Sequence, residues 1–265
     1  MGGQTARGLL RQKTTDVKLT VSDPSEQVRE QMAAIGAGVT DDNAEAARGA
    51  DVVMVVVKPW LVETVLKGIA STLTADQKLI VIAAGVPSAK IKEWLTAPTT
   101  PTIPTTPTTP TPHTATIPSF FLAIPNIAIA QLASMTFLVP VTATQADTAC
   151  VKALFDTVGT TLLTDEAHLA AGTTLASCGI AYAMRYIRAA AEGGVELGFR
   201  ADEAKRIVMQ TVDGAVRLLQ ATGMHPEQAI DMVTTPGGVT IRGLNEMEHA
   251  GFTSAVIRGL KAGAK

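Results

Sequence analysis

The sequence predicts an α/β domain with a doubly wound parallel sheet, followed by an all-helical domain. Between Val17 and Thr164, short β-rich runs alternate with helical segments. The β-rich runs, such as "DVVMVVV" and "KLIVIAA", are almost continuously apolar, which is typical of parallel strands that are buried on both faces. After Glu166 the sequence is rich in alanine, and apolar residues recur at helical spacing. We therefore expect two domains, residues 1–142 and 143–265, with the final sheet segment at the start of the second.

Composition excludes several classes of partner. The chain has 265 residues, of which 46% are hydrophobic, so it can bury a substantial core. A formal net charge of -2 and an aromatic content of 4% provide neither a basic stripe for nucleic-acid phosphates nor rings for base stacking. The two cysteines, Cys150 and Cys178, are too few for a disulfide framework or a metal cluster. We expect a cytoplasmic protein without a bound metal and without a nucleic-acid partner.

The sequence also argues against a membrane. The N-terminal segment "MGGQTARGLLRQK" lacks the apolar core of a signal peptide. Residues 120–141 are long enough to span a bilayer, but Pro125 and Asn126 interrupt them and indicate a turn between two strands. We therefore expect a soluble chain with no membrane contact.

The first expected strand, "KLTVS", ends beside a candidate nucleotide-binding residue, Asp23. In dinucleotide-binding βαβ units, an acidic residue about 20 positions after the glycine turn binds the ribose 2′-OH. Gly3 and Asp23 have this separation, so we assign Gly2, Gly3, Ser22 and Asp23 to a cofactor site. Asp23 precedes Pro24, however, and could instead cap the helix that follows.

Two further strand ends carry candidate cofactor contacts. Lys58 lies at the carboxyl end of the strand in "VVVKPW", and Ala83, Ala84 and Gly85 end the strand in "VIAAGV". Ligands of open α/β sheets bind at these ends, and the three small residues leave room for a ring. Two alternatives stay open: Lys58 could be a surface lysine with its stem on apolar residues, and the small residues could allow close helix packing.

A segment rich in threonine and proline, residues 97–117, fits neither domain. Pro98, Pro101, Pro104 and Pro107 recur every three residues, which matches the three residues per turn of a polyproline II helix. Such a segment has little to bury, so we expect a disordered insertion that can be removed. The alternative is a ligand for a proline-binding domain.

The stretch "VTTPGGVTIRGLNEMEHAGF" predicts an anion site. Pro236 ends one helix, Gly237 and Gly238 free the backbone, and Thr240 begins another helix. Backbone N–H groups at a helix start carry partial positive charge, which suits a carboxylate. A plain helical corner with Thr240 as the N-cap is the alternative.

This stretch, with "TDDNAEAARGADVVMVVVKP", "VIAAGV", "IPN" and "GGVELGF" in order, resembles the pyrroline-5-carboxylate reductase family. The resemblance covers nearly the whole chain apart from the insertion. It implies a Rossmann domain followed by a helical dimerisation domain that interlocks with a second subunit. It also implies hydride transfer from NAD(P)H to the C=N carbon of a cyclic imino acid, the last step of proline biosynthesis, by a homodimer or higher homo-oligomer.

The resemblance assigns site residues in both domains. It places cofactor contacts at Asn43, Val56, Val57, Lys58, Pro59, Ala83, Ala84, Gly85 and Asn126. It places substrate contacts at Thr235, Gly237, Gly238, Val239 and Thr240. We assign the catalytic role to Thr240, whose hydroxyl could hydrogen-bond the ring nitrogen as it becomes an amine.

The sequence departs from the family pattern at several positions. "ASCGIAY" stands where the family has "SGSGPAY", and Leu122 stands where an arginine is common. "MGGQTARGLL" resembles only the tail of the family's glycine turn, so we expect the first strand of the sheet to be missing and cofactor binding to be weak. Asp23 should repel a 2′-phosphate, and the next arginine is Arg29, so we expect a preference for NADH.

Two other functions remain open. Related hydroxyacid dehydrogenases share this layout but place a catalytic lysine in the helix after the domain linker, whereas residues 168–198 contain no lysine. The other alternative is a non-catalytic helical dimer with a degenerate nucleotide domain. Cofactor binding and NAD(P)H oxidation with the imine would separate the three.

Overall fold

The computed structural model describes residues 1–14, 16–96 and 117–264. Except for Ile117, the expected Thr/Pro insertion therefore lies outside the described residues. The chain divides into two compact units, Met1–Ser177 and Cys178–Lys265. This division lies C-terminal to the boundary that we expected after residue 142, because the last strand and the helix before it belong to the sheet of the first unit.

The first unit alternates helices and strands, as the sequence predicts. Its elements are α1 (Gly2–Arg11), β1 (Thr20–Ser22), α2 (Glu26–Ala33), β2 (Gly38–Thr40), α3 (Asn43–Ala47), β3 (Val52–Val55), α4 (Val62–Ile69), β4 (Lys78–Val81), α5 (Ser88–Thr96), β5 (Ser119–Ile124), β6 (Ser134–Pro140), α6 (Gln145–Asp156), β7 (Gly159–Leu163) and α7 (Leu169–Gly172). Short 3₁₀ helices span Pro59–Leu61, Ile127–Gln131 and Glu166–His168.

The second unit is helical throughout the residues that the structure describes. A π-helical segment, Thr173–Cys178, ends at the first residue of this unit. The unit then contains α8 (Gly179–Glu196), α9 (Ala201–Thr222), α10 (Pro226–Met232), α11 (Val239–His249) and α12 (Phe252–Gly263). Helices α8 and α9 pack closely, since a Cβ at Gly194 would lie 2.9 Å from the Cβ of Ala204. None of the helices in the described ranges has the length and apolar character that crossing a bilayer requires.

The strands of the first unit form two sheets. β3, β4, β5, β6 and β7 form a five-stranded sheet in that order, and β1 pairs with β2 in a separate parallel sheet. We expected the first strand of the sheet to be missing, and among the described residues β1 pairs only with β2 and β3 only with β4.

One strand pair departs from the parallel sheet that the sequence predicts. β3, β4 and β5 are parallel, as are β6 and β7, but β5 and β6 are antiparallel. The reason is the connection between them, since residues 125–133 form only a short 3₁₀ helix. A parallel pair would need a crossover of a dozen residues or more.

The central strands β4 and β5 of the five-stranded sheet are buried on both faces. One face packs Leu79, Val81 and Phe120 against α4 and α5, whose Leu66 and Ile91 are both 0% exposed. On the other face Ile80 and Phe121 pack against α6 and the 3₁₀ helix 127–131. Since successive side chains of a strand point to opposite faces, this burial explains the continuous apolar runs in the sequence.

Helix α1 packs against this second face. A Cβ at Gly8 would lie 2.4 Å from the backbone oxygen of Ile129, so only glycine permits this approach. Leu9 of the same helix is 4% exposed and joins the cluster around Phe121. Ala6 packs instead with Met32 of α2 and Ala37, which places α1 between the two sheets.

Candidate active site

The parallel strands bring several candidate cofactor residues to one edge of the five-stranded sheet. β3, β4 and β5 end at Val55, Val81 and Ile124, and their carboxyl ends lie side by side. The residues that follow these ends are Val56, Val57, Lys58, Pro59, Ala83, Ala84, Gly85 and Asn126. The strand topology therefore places eight of the residues that the sequence assigned to the cofactor at one edge of the sheet.

The N-terminus of α1 lies at the same edge. A Cβ at Gly2 would lie 3.7 Å from the backbone oxygen of Val56, and one at Gly3 would lie 3.6 Å from the terminal methyl of Met32. The first N–H groups of a helix lack intrahelical acceptors and attract anions. The start of α1 thus presents a positive helix end beside the carboxyl end of β3.

Gly85 owes its identity to backbone conformation. Its φ is +75°, in the left-handed region that glycine adopts readily, and a Cβ there would meet no described atom within 4 Å. Close helix packing, the alternative that the sequence left open, therefore does not explain this glycine. The turn is instead open on the side where a Cβ would lie, while the next residue, Val86, is 8% exposed and anchors it.

Lys58 lies over an exposed tryptophan. Its Nζ is 6.0 Å from the ring centroid of Trp60, and the Trp60 side chain is 74% exposed. This distance is at the outer limit of a cation–π contact. The geometry matches the surface-lysine alternative and leaves Lys58 at the edge of the candidate site.

Asp23 stabilises the turn that leads into α2. Its Oδ1 accepts a hydrogen bond from the Ser25 N–H at 2.9 Å, at the start of α2, and its own N–H donates to the Thr40 carbonyl at 3.2 Å. Asp23 and the neighbouring Ser22 nevertheless stay at the carboxyl end of β1. The hydroxyl of Ser22 is buried and has no hydrogen-bond partner among the described residues.

Sequence reasoning missed the position of Arg29. Its Nη1 donates to the carbonyl of Asp23 at 2.8 Å and to the carbonyl of Pro24 at 3.0 Å. The guanidinium therefore lies at the same turn as the Asp23 carboxylate. Its helical position, one turn after the N-cap Ser25, was the available signal.

Two asparagines of the expected site lie at helix starts. Asn43 is the first residue of α3, just beyond the end of β2, and the preceding Asp42 caps the helix by accepting from the Ala44 N–H at 2.8 Å. Asn126 is 4% exposed, and its Oδ1 accepts from the Ala128 N–H at 3.0 Å. The side-chain oxygen of Asn126 thus serves the 3₁₀ helix that follows β5.

The glycine turn before α11 forms a tight loop in the second unit. Gly237 has a φ of +68°, and the Gly238 N–H donates to the Thr235 carbonyl at 3.0 Å. A Cβ at Gly238 would lie 2.5 Å from Oγ1 of Thr235. Both glycines are therefore required by the turn itself.

The start of α11 differs from the expectation. Gly238 is the N-cap and Val239 the first helical residue, so Thr240 lies inside the first turn. The N-cap role for Thr240 is wrong, because the extended conformation of the cap falls at Gly238. Thr240 is half-buried, whereas Val239 is 76% exposed. Thr240 presents a hydroxyl within the positive end of an 11-residue helix.

Comparisons with known proteins identify the family. A profile described as pyrroline-5-carboxylate reductase dimerisation matches residues 166–265, and one described as NADP oxidoreductase, coenzyme F420-dependent, matches residues 1–85. Pyrroline-5-carboxylate reductase of Pisum sativum is 34% identical over 92% of this chain and 82% of its own length. Pyrroline-5-carboxylate reductase 2 of Dictyostelium discoideum is 33% identical over 87% of this chain and 76% of its own length. This chain belongs to the pyrroline-5-carboxylate reductase family.

Family membership confirms the resemblance, the fold class and the assignment to NAD(P)H-dependent oxidoreductases. The chain spans less than half of one relative, pyrroline-5-carboxylate reductase 1 of Dictyostelium discoideum, which is 34% identical over 98% of this chain and 46% of its own length.

Solved structures of pyrroline-5-carboxylate reductases share the fold. The enzyme from Streptococcus pyogenes has a TM-score of 0.80 at 27% identity, covering 100% of this chain and 93% of its own. The NADP-bound pyrroline carboxylate reductase of Plasmodium falciparum has a TM-score of 0.82 at 22% identity, covering 100% of this chain and 92% of its own. The second comparison supports the fold alone.

Proposed function

We propose that this chain reduces 1-pyrroline-5-carboxylate to L-proline by hydride transfer from NAD(P)H, the last step of proline biosynthesis. The observation that carries the proposal is the Thr235–Gly238 turn before α11, in a member of this family: Gly237 has a left-handed backbone, and Gly238 lies too close to Thr235 for a side chain. A turn of this kind leaves N–H groups at a helix start free to bind the substrate carboxylate.

The residues at the sheet edge fit a dinucleotide. The start of α1 beside Val56 suits the pyrophosphate, and the open turn at Gly85 leaves space for a flat ring. Asp23 and Asn43, at the ends of β1 and β2, would hold the adenosine ribose. When bound, the nicotinamide supplies the hydride.

The second unit would orient the imine. The Gly237–Gly238 turn and the first N–H groups of α11 would bind the carboxylate, and the Thr240 hydroxyl would donate to the ring nitrogen as that nitrogen gains basicity. A cyclic imine can take its proton from water, so a strong acid is not required. Holding donor and acceptor carbons in one geometry would then provide most of the rate enhancement.

Replacement of Thr240 tests this assignment. We expect Thr240→Val to lower kcat by about 10², the effect of removing one transition-state hydrogen-bond donor, and Thr240→Ser to retain most activity. Thr211→Val is the matched control, because Thr211 is exposed on α9 and its hydroxyl bonds only within that helix, to the Ile207 carbonyl. Steady-state rates with NADH, NADPH and the imine give the readout. An unchanged rate in Thr240→Val would remove this residue from the mechanism.

We propose further that the second unit pairs with a second copy of the chain in the cytoplasm. Several large apolar side chains of this unit are exposed, among them Leu197 at 82%, Met184 at 60% and Phe199 at 50%. Exposed apolar surface of this extent is typical of an interface. The dimerisation profile that matches residues 166–265 supports the same conclusion. Light scattering should give a dimer or a higher homo-oligomer.

A further inference from the structure

Glu166 forms a bidentate contact with the start of helix α5. Its Oε1 accepts a hydrogen bond from the Ser88 N–H at 2.9 Å, and its Oε2 accepts one from the Ser88 hydroxyl at 2.5 Å. Ser88 is the first residue of α5, where a helix has unpaired N–H groups and a positive end. Both oxygens of one carboxylate therefore hold a single residue, 78 positions away in the sequence.

The contact closes one end of the loop that follows β4. This loop runs from Ala83 to Ser88; Val86, 8% exposed, anchors its middle, and Glu166 holds its end. Gly85, between the strand and these anchors, has a φ of +75° and no described atom within 4 Å of its Cβ position. Ala83 packs against the core, whereas Ala84 and Gly85 are exposed, so the exposed part of the turn lies between Ala83 and the anchors that follow it.

Glu166 also stands at a boundary in the sequence. The oxidoreductase profile ends at residue 85, in this loop, and the dimerisation profile begins at residue 166. The first residue of the second match therefore contacts the loop in which the first match ends. A hydrogen bond between charged and neutral groups contributes more than a neutral pair does, so this contact can restrict the loop even though Glu166 is exposed.

We propose that Glu166 is a positioning residue that holds the Ala83–Gly85 turn, through Ser88, in the conformation that binds the nicotinamide end of the cofactor. The inference rests on the proposed function, because it requires the turn to be a cofactor contact. Without the contact, the nicotinamide is held less well in position. The loop of the free enzyme also has more conformations, which cofactor binding must then restrict. The effect falls on cofactor affinity and not on imine affinity.

Three variants separate this role from general stability. Glu166→Gln keeps one acceptor oxygen and the side-chain length, and Ser88→Ala removes the hydroxyl partner. We expect each to raise the Kd and the KM of NAD(P)H by about fivefold, the size of one ordinary hydrogen bond, because the contact is exposed to solvent. The double variant should be no worse than the more affected single variant, because both changes break one contact. Glu93→Gln, an exposed glutamate on the same helix α5, is the control and should match the wild type.

Cofactor affinity is measured by nicotinamide fluorescence, which needs no turnover, and KM values for cofactor and imine are measured where turnover occurs. A raised Kd with an unchanged KM for the imine and an unchanged Tm supports the proposal. Additive increases of the cofactor Kd in the double variant, or an equal rise in the KM values for cofactor and imine, overturn the proposal. A wild type that binds cofactor without reducing the imine refutes the proposed function alone, whereas a wild type that binds no cofactor at millimolar concentration refutes the positioning role as well.

Discussion

The two sheets of the first unit both contain parallel strand pairs but differ in burial. In the five-stranded sheet, three of the four residues of β4 and five of the six residues of β5 are buried. In the two-stranded sheet, every residue of β1 and β2 is exposed or half-buried. Parallel strands normally need cover on both faces, and an isolated pair of strands is barely stable in water. Helices α1 and α2 support the small sheet through Ala6 and Met32.

The largest expected effect is a core truncation in the five-stranded sheet. Phe121 is 0% exposed, so Phe121→Ala should lower the free energy of unfolding by about 3–5 kcal/mol. Val21→Ala, in half-buried β1, should lower it by less than about 1 kcal/mol. Urea unfolding of both variants measures the difference. Equal losses would show that both sheets contribute similarly to the stability of the unit.

The next effect comes from the helix that packs between the two sheets. Gly8→Ala places a Cβ 2.4 Å from the Ile129 oxygen and should lower the free energy of unfolding by about 1–3 kcal/mol. Gly68→Ala in α4 is the control, because a Cβ there meets no described atom within 4 Å, and it should be neutral or stabilising. Thermal unfolding compares the two. A Gly8→Ala protein as stable as the control would mean that α1 can move away from the 3₁₀ helix freely.

A smaller effect concerns the cofactor at the end of the two-stranded sheet. Asp23→Asn keeps an oxygen that can accept from the Ser25 N–H but removes the charge, so the kcat/KM ratio should shift about tenfold towards NADPH. Asp41→Asn, just after β2, is the control and should shift the ratio less. The wild type should prefer NADH, although Arg29 lies at the same turn. A tenfold preference of the wild type for NADPH would contradict the role of Asp23 and favour that of Arg29.

The smallest expected effect concerns Asp147 of α6, which contacts the first residues of β4 and β5. Hydrogen bonds from Ser119 and Thr144 to the Asp147 carboxylate, at 2.7 Å each, hold the pKa of Asp147 below its usual value. Lys78 lies 3.7 Å away and acts in the same direction. A lowered pKa in the folded state means that the stabilisation is present above the unfolded pKa and is lost as pH falls through the folded pKa.

Asp147→Asn should therefore lower Tm slightly at pH 7, and the difference from the wild type should disappear in acid. Thermal unfolding of both proteins from neutral pH to about pH 2 checks this expectation, since the lower limit lies below the usual carboxyl pKa. A difference that keeps its size throughout that range would assign the effect to packing and not to the charge.

The sequence predicted the features that have a local pattern. The continuous apolar runs located β3, β4 and β5, and their parallel order followed from the alternation with helices. The sequence marked Gly85 as a small residue that leaves room for a ring and Gly237 as a residue that frees the backbone, and both have a left-handed backbone. The resemblance to the family then indicated which strand ends belong to the site.

The features that the sequence could not supply depend on contacts between distant segments. Ser88 and Glu166 are separated by 78 positions, and neither has a pattern that points to the other. The Asp23 side chain had two possible partners, a ligand or a nearby backbone N–H, and Asn126 was assigned to the cofactor. Local geometry decides that the side chains of both accept from a backbone N–H. The sequence placed the start of α11 at Thr240 after the two glycines, with Thr240 as the N-cap in the alternative, whereas the extended N-cap residue is Gly238.

The antiparallel pairing of β5 and β6 has a consequence for the order of folding. Ile124 lies opposite Phe137, so this pair of strands closes a short loop, whereas the partners of β4 lie far along the chain, at Val52 and Ser119. Contacts between residues that are close in sequence form first, because closing a long loop costs more chain entropy before any contact can compensate for it. We expect the hairpin around Pro125 to form the nucleus on which the later crossovers assemble. The only antiparallel pair among the described strands would then be the first part of the sheet to become ordered.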